Sequence, residues 1–295
     1  MDPADLEVFA AVARHGSMRA AAEALNTVQS NVTARIRVLE DEIGAALFER
    51  HSRGVVLTAA GRRLLPYVGR VTSLLRDAAA AARDDGTPKG PLLLGALETT
   101  LALRLSPLLS SYARAFPEVD LTLRTGTTAE LIDKVLGREV EGAFVCGPVD
   151  HPDLVEEVVF REELAILTAP DVTRLDAALA RSGLKIVVLR MGCSYRQRLE
   201  GLLARRGIVG LRILEFGTLE AIFGCVSAGL GLTLLPRALL GPVWPAARVH
   251  VHALAPAEAS VETAFVRRRD GHVSSALAAF LDHVRARTTR AIAAE

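Results

Sequence analysis

The chain has 295 residues, half of them hydrophobic and 4% aromatic, with a formal net charge of +1. That length is more than one ordinary core serves, so two or three domains are expected, and the composition is that of a globular chain rather than a disordered one. Near-neutral charge excludes a basic coat over the whole molecule, so any nucleic-acid footprint must be local, and three scattered cysteines, Cys146, Cys193 and Cys225, exclude a disulfide framework and a Cys-x-x-Cys metal site.

The chain begins MDPADLEVF, with acids where a signal peptide needs bases. The most apolar long run, 229–247, is broken by Arg237 and three prolines, which suits no bilayer span. A cytoplasmic protein without a membrane partner is expected. A first helix runs from Pro3 to Ala13, with Leu6, Phe9, Ala10 and Ala13 on one face. Gly16 permits a turn, and Ser17 is placed to cap a second helix, MRAAAEAL. Asn26 suits the left-handed conformation that ends a helix, and Thr27 is placed to cap a third, NTVQSNVTARIRVLE.

In that third helix Val28, Val32, Ile36 and Leu39 make the apolar stripe. The other face shows Gln29, Ser30, Asn31 and Thr33 first, then Arg35 and Arg37. Two short helices, a tight turn and a polar-faced helix make a helix-turn-helix, whose second helix enters the major groove of double-stranded DNA by its N-terminal end. Gln29 pairs well with adenine, and Ser30, Asn31 and Thr33 reach base edges or phosphates. Arg35 and Arg37 suit flanking phosphates, and Ser17 joins them at the start of its helix. LFERHSRGVVLTAAG then supplies a two-stranded wing turning at Arg50–Gly54, with Arg50 and Arg53 the basic groups for a phosphate or the minor groove. A solvated face on a small bundle is the alternative; turn, cap, polar face and basic wing in this order favour DNA.

From Thr58 the small or apolar residues Gly61, Leu64, Val68, Val71, Leu75, Ala78 and Ala82 alternate in spacings of three and four, a heptad seam. About 27 residues make roughly 40 Å of helix, and a seam between two domains suits a dimer coil that pairs two DNA half-sites. After the turn-rich DDGTPKGP the pattern becomes strands alternating with helices. Strands are expected at 92–96, 119–125, 142–146, 164–169, 185–190, 211–216, 232–236, 248–254 and 261–267, and helices near 100–115, 128–137, 195–206, 218–228 and 273–287. This alternation predicts open α/β sheets in two similar lobes.

The stretch FAAVARHGSMRAAAEALNTVQSNVTARIRVLEDEIGAALFERHSRGVVLTAAG resembles the winged helix-turn-helix of the LysR-type transcriptional regulators. The motifs are AA..L in the second helix, QS in the third, I..LE after it, LF.R into the wing and LT.AG opening the long helix. The resemblance implies an α/β protein overall: a winged helix-turn-helix at 1–57, a linker and dimerisation helix at 58–86, and a two-lobed effector domain at 87–295 resembling type 2 periplasmic binding proteins. Lobe I is expected at about 90–163 and 265–295, lobe II at about 164–264. The resemblance also implies a regulator rather than an enzyme, a tetramer with two dimeric DNA-binding heads, and a small-molecule effector between the lobes. Val28 and Ala34 depart from the Thr and Arg that such proteins often carry there, which removes a hydroxyl and a charge near the DNA.

A ligand between α/β lobes sits at strand carboxyl ends and helix N-termini. Thr99 and Thr100 follow the first strand of the domain, Cys146 and Gly147 end another at an expected crossover between lobes, Cys193, Ser194 and Tyr195 lie where a strand turns into a helix, and Thr218 opens one more. Together they suit an anion such as a carboxylate, with Arg190 or Arg196 as a charge partner; singly, each is equally a helix cap. Cys193 at a helix N-terminus also suits a thiol redox switch, or a cysteine nucleophile, although no His falls in that segment to act as its base. His250 and His252 share a strand face without a third ligand, so neither metal nor cofactor is expected.

Overall fold

In the computed structural model, which describes residues 1–51, 54–180 and 183–292, the chain divides into two units, Met1–Asp84 with Gly137–Glu139, and Asp85–Leu136 with Val140–Glu295. The first opens with α1 (Pro3–His15), capped by Asp2, whose carboxylate accepts from the Ala4 N–H at 2.8 Å. Gly16 ends it at φ 63°, in the left-handed region. Ser17 caps α2 (Met18–Ala24) by accepting from the Ala20 N–H at 3.3 Å, and Asn26 sits at φ 51° between α2 and α3 (Gln29–Ile43). Phe9, Val12, Ala21, Val32, Ile36 and Leu39 fill the core between the three helices. Each fully buried aliphatic side chain contributes about 1.5–3 kcal/mol.

Two expectations fail at the start of α3. Val28, not Thr27, is the N-cap, with no side-chain cap bond, and its side chain is 64% exposed rather than buried. A cap residue stands outside the helix, so its side chain does not follow the helical stripe, which begins one turn later at Val32. The Thr27 hydroxyl accepts from the Asn31 side-chain amide at 2.9 Å instead.

The wing is β1 (Phe48–His51) antiparallel to β2 (Gly54–Leu57), with Phe48 opposite Leu57. Phe48 packs on Phe9 with ring centroids 5.2 Å apart. Thr58 then caps α4 (Ala59–Arg83), donates to the Ala46 carbonyl at 2.8 Å, and gives its backbone N–H to Leu47 at 2.9 Å. This draws α4 so close to the chain entering β1 that a Cβ at Gly61 would lie 2.3 Å from the Leu47 carbonyl oxygen. The heptad seam is therefore divided. Gly61 and Val68 are buried, with Leu64 packed beside them, in the helix-turn-helix core, while Val71 and Leu75 remain 41% and 46% exposed. The expected boundary at 57/58 is corrected: α4 folds with the DNA-binding unit, and the break falls after Asp84.

The second unit is built on β3 (Gly90–Ala96), β4 (Val119–Thr125) and β5 (Gly142–Cys146), where β3 runs parallel to both others. Between them lie α5 (Glu98–Thr100), which continues through one π-helical turn into α6 (Ser106–Ala115), and α7 (Thr128–Leu136). Next comes β6 (Leu154–Thr168), of which only the second half was legible. Its first half, VEEVVFREE, alternates acids and bases with apolar residues, and its charges pair with neighbouring elements. The rest is α8 (Leu175–Leu179), β7 (Lys185–Leu189), α9 (Ser194–Arg205), β8 (Arg212–Phe216), α10 (Leu219–Ser227), β9 (Thr233–Pro236), β10 (His250–Ala253), α11 (Pro256–Ala259), β11 (Ser260–Arg268) and α12 (Ser275–Ile292).

Strand order is β10-β6-β11-β5-β3-β4, with β9 also on β6, and β7–β8 form a separate parallel pair. β6 changes partners once: up to Glu163 it pairs with β11, and from Leu164 it pairs with β9 and β10. The lobes therefore meet at 163/164, as expected. The return differs, because β11 lies wholly in lobe I from Ser260, so 260–264 belong there and not to lobe II. Cys146 and Gly147 are likewise not at a crossover; β5 ends within lobe I, and the chain changes lobe inside β6. Among the described residues no helix is long and apolar enough to cross a membrane.

Gly61→Ala tests the junction of wing and α4. In an open helix this change adds up to about 1 kcal/mol of stability; here the clash with the Leu47 carbonyl outweighs that gain, and a lower melting temperature is expected by calorimetry.

Candidate DNA-binding face and effector cleft

The N-terminal end of α3 presents Gln29, Ser30 and Asn31 to solvent, with Arg37 exposed two turns on and Thr33 half-buried. Arg35 is not available in the way expected. Its Nη1 lies 2.8 Å from Asp5 Oδ1, and Asp5 is buried on α1, so Arg35 neutralises an acid inside the helix packing. An acid on the inner face of α1 was the signal for this pair. Ser17 is a cap whose oxygen is already used by Ala20. Arg53 lies outside the described residues, as does the Arg50 side chain. Glu40, set aside as a remote acid, accepts from the Leu47 and Phe48 N–H groups at 2.7 and 3.1 Å and ties α3 to the wing. The wing is also tied to the turn before α2, where the Gly16 carbonyl accepts from the Val55 N–H at 2.9 Å.

In the second unit four contacts join the lobes. Arg190, from the loop after β7, makes paired hydrogen bonds of 3.0 and 2.9 Å to Glu130 on α7. The Ser194 hydroxyl donates to Thr128 Oγ1 at 2.9 Å. Glu98 accepts from the Leu219 N–H at 3.2 Å. Thr99 Oγ1 lies 3.4 Å from the Tyr195 hydroxyl, with both side chains buried. The start of α7 is a capping box, in which the Thr127 N–H donates to Glu130 and the Glu130 N–H to the Thr127 hydroxyl. Arg190 above all, and then the Thr127 N–H, hold the Glu130 carboxyl down to about 2. Burial raises that of Glu98 and outweighs the Leu219 N–H it accepts.

A cavity of about 520 Å³ opens beside these contacts, lined by Thr128, Cys146, Gly147, His151, Ser194 and Arg198 among others. Three of the eight residues expected at the cleft, Cys146, Gly147 and Ser194, are brought together there. Thr99, Thr100, Cys193 and Tyr195 are buried behind it, and Thr218 acts as the N-cap of α10. Arg190 is committed to Glu130, and Arg196, expected in solvent, is 5% exposed and paired with Glu200 and Glu215. Thr128, His151 and Arg198 went unnoticed in the sequence; the spacing of Ser194 and Arg198, one helical turn apart on α9, was the readable signal.

The cysteine expectation also changes. Burial raises the Cys193 thiol pKa and outweighs the N–H groups of Tyr195 and Arg196 that point at it. Burial raises Cys146 in the same way, despite the nearby Arg198. Neither is the low-pKa thiolate that a helix N-terminus suggested. On β10 the His250 and His252 rings stand 4.7 Å apart, and His252 Nε2 is 2.9 Å from the Thr168 hydroxyl within the protein.

Comparison with known proteins gives the same division. Residues 3–62 match the family model described as bacterial regulatory helix-turn-helix protein, lysR family, and residues 85–289 match the LysR substrate binding domain. The HTH-type transcriptional regulator GltR of Bacillus subtilis (strain 168) is 42% identical over 280 residues, 95% of each chain. YofA of the same organism is 42% identical over 284 residues, 96% of this chain and 98% of that one. CzcR of Bacillus anthracis is 39% identical over 281 residues, 95% of this chain and 96% of that one. Among solved structures, full-length CbnR complexed with its target DNA superposes with a TM-score of 0.68 at 25% identity, over 98% of this chain and 100% of that one.

Two outcomes follow from the ion pairs. Asp5→Ala strands Arg35 and costs about 1–3 kcal/mol in urea unfolding; if stability is unchanged, the pair is not structural. Glu130 has its carboxyl lowered from an ordinary 4.5 to about 2. Its contribution is therefore present above 4.5 and lost as pH falls toward 2. Thermal scans across that range should show this loss in the wild type and lack that component in Glu130→Gln.

Proposed function

The chain belongs to the LysR family of bacterial transcriptional regulators, DNA-binding proteins and not enzymes, and from that premise we propose that its α3 reads a specific operator while a small anionic effector in the inter-lobe cleft sets its activity. The observation that carries the DNA part is the exposed N-terminal face of α3. Gln29, Ser30 and Asn31 follow directly on the left-handed Asn26, so short hydrogen-bonding groups lead the helix into the groove. Arg37, one turn and a half further on, reaches the flanking phosphates. The Asp5 partner removes Arg35 from that set.

Self-association is proposed through the outer half of α4. Val71, Leu74 and Leu75 are each at least two-fifths exposed there, at spacings of three and four, on a helix whose inner half is already spent on its own core. Two copies joined in this way place two α3 helices for two half-sites. The structure of CbnR complexed with its target DNA supports the DNA reading for a protein of the same architecture. The effector part rests on the cavity between lobes that share one strand, β6, and on the contacts that close them. A ligand with different affinity for two lobe arrangements shifts the population between them.

Gel retardation with the DNA upstream of the protein's own coding region tests this. Specific retardation is expected. Gln29→Ala should lose about 1–3 kcal/mol of discrimination at one base position, whereas Arg37→Ala should weaken binding to all sequences and lower the salt slope by about one. Absence of any specific complex overturns the reading.

A further inference from the structure

The geometry points to Arg198 as the residue that selects the effector, by pairing with the carboxylate of a small organic acid seated in the cavity between α7 and α9. This assignment rests on the reading of that cleft as the effector site. The cavity measures about 520 Å³, within the range of about 300–1,000 Å³ usual for small-molecule sites. Its backbone donors are already used: the Cys146 N–H goes to Thr128 Oγ1, Gly147 to the Glu262 carbonyl, and Val149 to Glu156, while Pro148 has none. Recognition therefore falls to side chains.

Three side-chain donors remain. Thr128 Oγ1 accepts from Ser194 and Cys146, which leaves its own hydrogen to donate. His151 Nδ1 accepts from the Asp153 N–H at 3.2 Å, so the ring carries its proton on Nε2. Arg198 has no carboxylate within ion-pair distance among the described residues, although the neighbouring cleft arginines Arg190 and Arg196 are both committed to glutamates. A guanidinium left unpaired in a cavity matches a carboxylate in charge and in its two-pronged shape. The remaining lining limits the ligand further. Ile132, Pro148 and Val149 face it with carbon, which suits an apolar body. Asp150 stands at the exposed edge, which disfavours a multiply charged anion and tolerates an ammonium group.

The test uses the full chain and thermal shift titrations at millimolar concentration with isovalerate, leucine, the neutral isovaleramide, phosphate and sulfate. A melting temperature raised by isovalerate or leucine, but not by the amide, is expected. Isovalerate alone identifies a simple acid and leucine alone an amino acid, and both support the assignment. Arg198→Gln should weaken that response about tenfold to a hundredfold, and Arg198→Lys should restore part of it; the ligand-free melting temperature of each variant checks its fold. The assignment is overturned if no carboxylate stabilises the wild type, if only phosphate or sulfate does, if the amide binds as well as the acid, or if Arg198→Gln responds like the wild type. Retardation run alongside separates the two readings. A carboxylate that binds through Arg198 without changing specific DNA binding removes the gating role and keeps the site. A carboxylate that changes DNA binding equally in Arg198→Gln removes the site and keeps the gating.

Discussion

One strand, β6, is the constraint on which the effector unit depends. Over fifteen residues it serves two lobes, pairing with β11 as far as Glu163 and with β9 and β10 from Leu164. A backbone ladder on both sides fixes where each lobe begins and leaves their relative motion to the residues at the change of partner. The contacts across the cleft are of another kind. Arg190 and Glu130 are both more than two-fifths exposed, and exposed ion pairs are individually weak. The ladder therefore sets the frame, and the cleft contacts bias an arrangement within it.

The helical unit is organised by the satisfaction of polar groups near its core. Glu40 takes two N–H groups of the incoming wing, Thr58 bridges the segment before the wing to α4, and Arg35 neutralises Asp5. Burying any of these without a partner carries a cost of about 1–3 kcal/mol, so each is held to its place. What these commitments leave over defines the outer surface. Gln29, Ser30 and Asn31 show solvent a short polar face, and Arg37 shows it a charge. The same rule applies in the cleft, where glutamates take Arg190 and Arg196 and leave Arg198 facing a cavity.

Periodicity and capping chemistry are local, and these were legible. The stripe Val32, Ile36 and Leu39, the Ser17 cap and the left-handed Asn26 all follow from neighbours within a few residues, and the structure contains each of them. The motifs shared with LysR regulators lie in the same local stretches, which is why the family was readable from the N-terminal quarter. The strands with apolar runs, such as β5 and β7, were equally plain, whereas the charged first half of β6 was not, because its acids and bases are matched by residues on β11 and α12.

The sequence by itself determined the DNA-binding head, the α/β lobes and the residues available for each role. Only the tertiary structure decided which of those residues are free. Arg35 meets an acid thirty positions away, Arg190 one sixty positions away, and the inner half of the α4 seam meets the core of its own unit. Partners that distant are set by how elements pack, and no spacing along the chain encodes them.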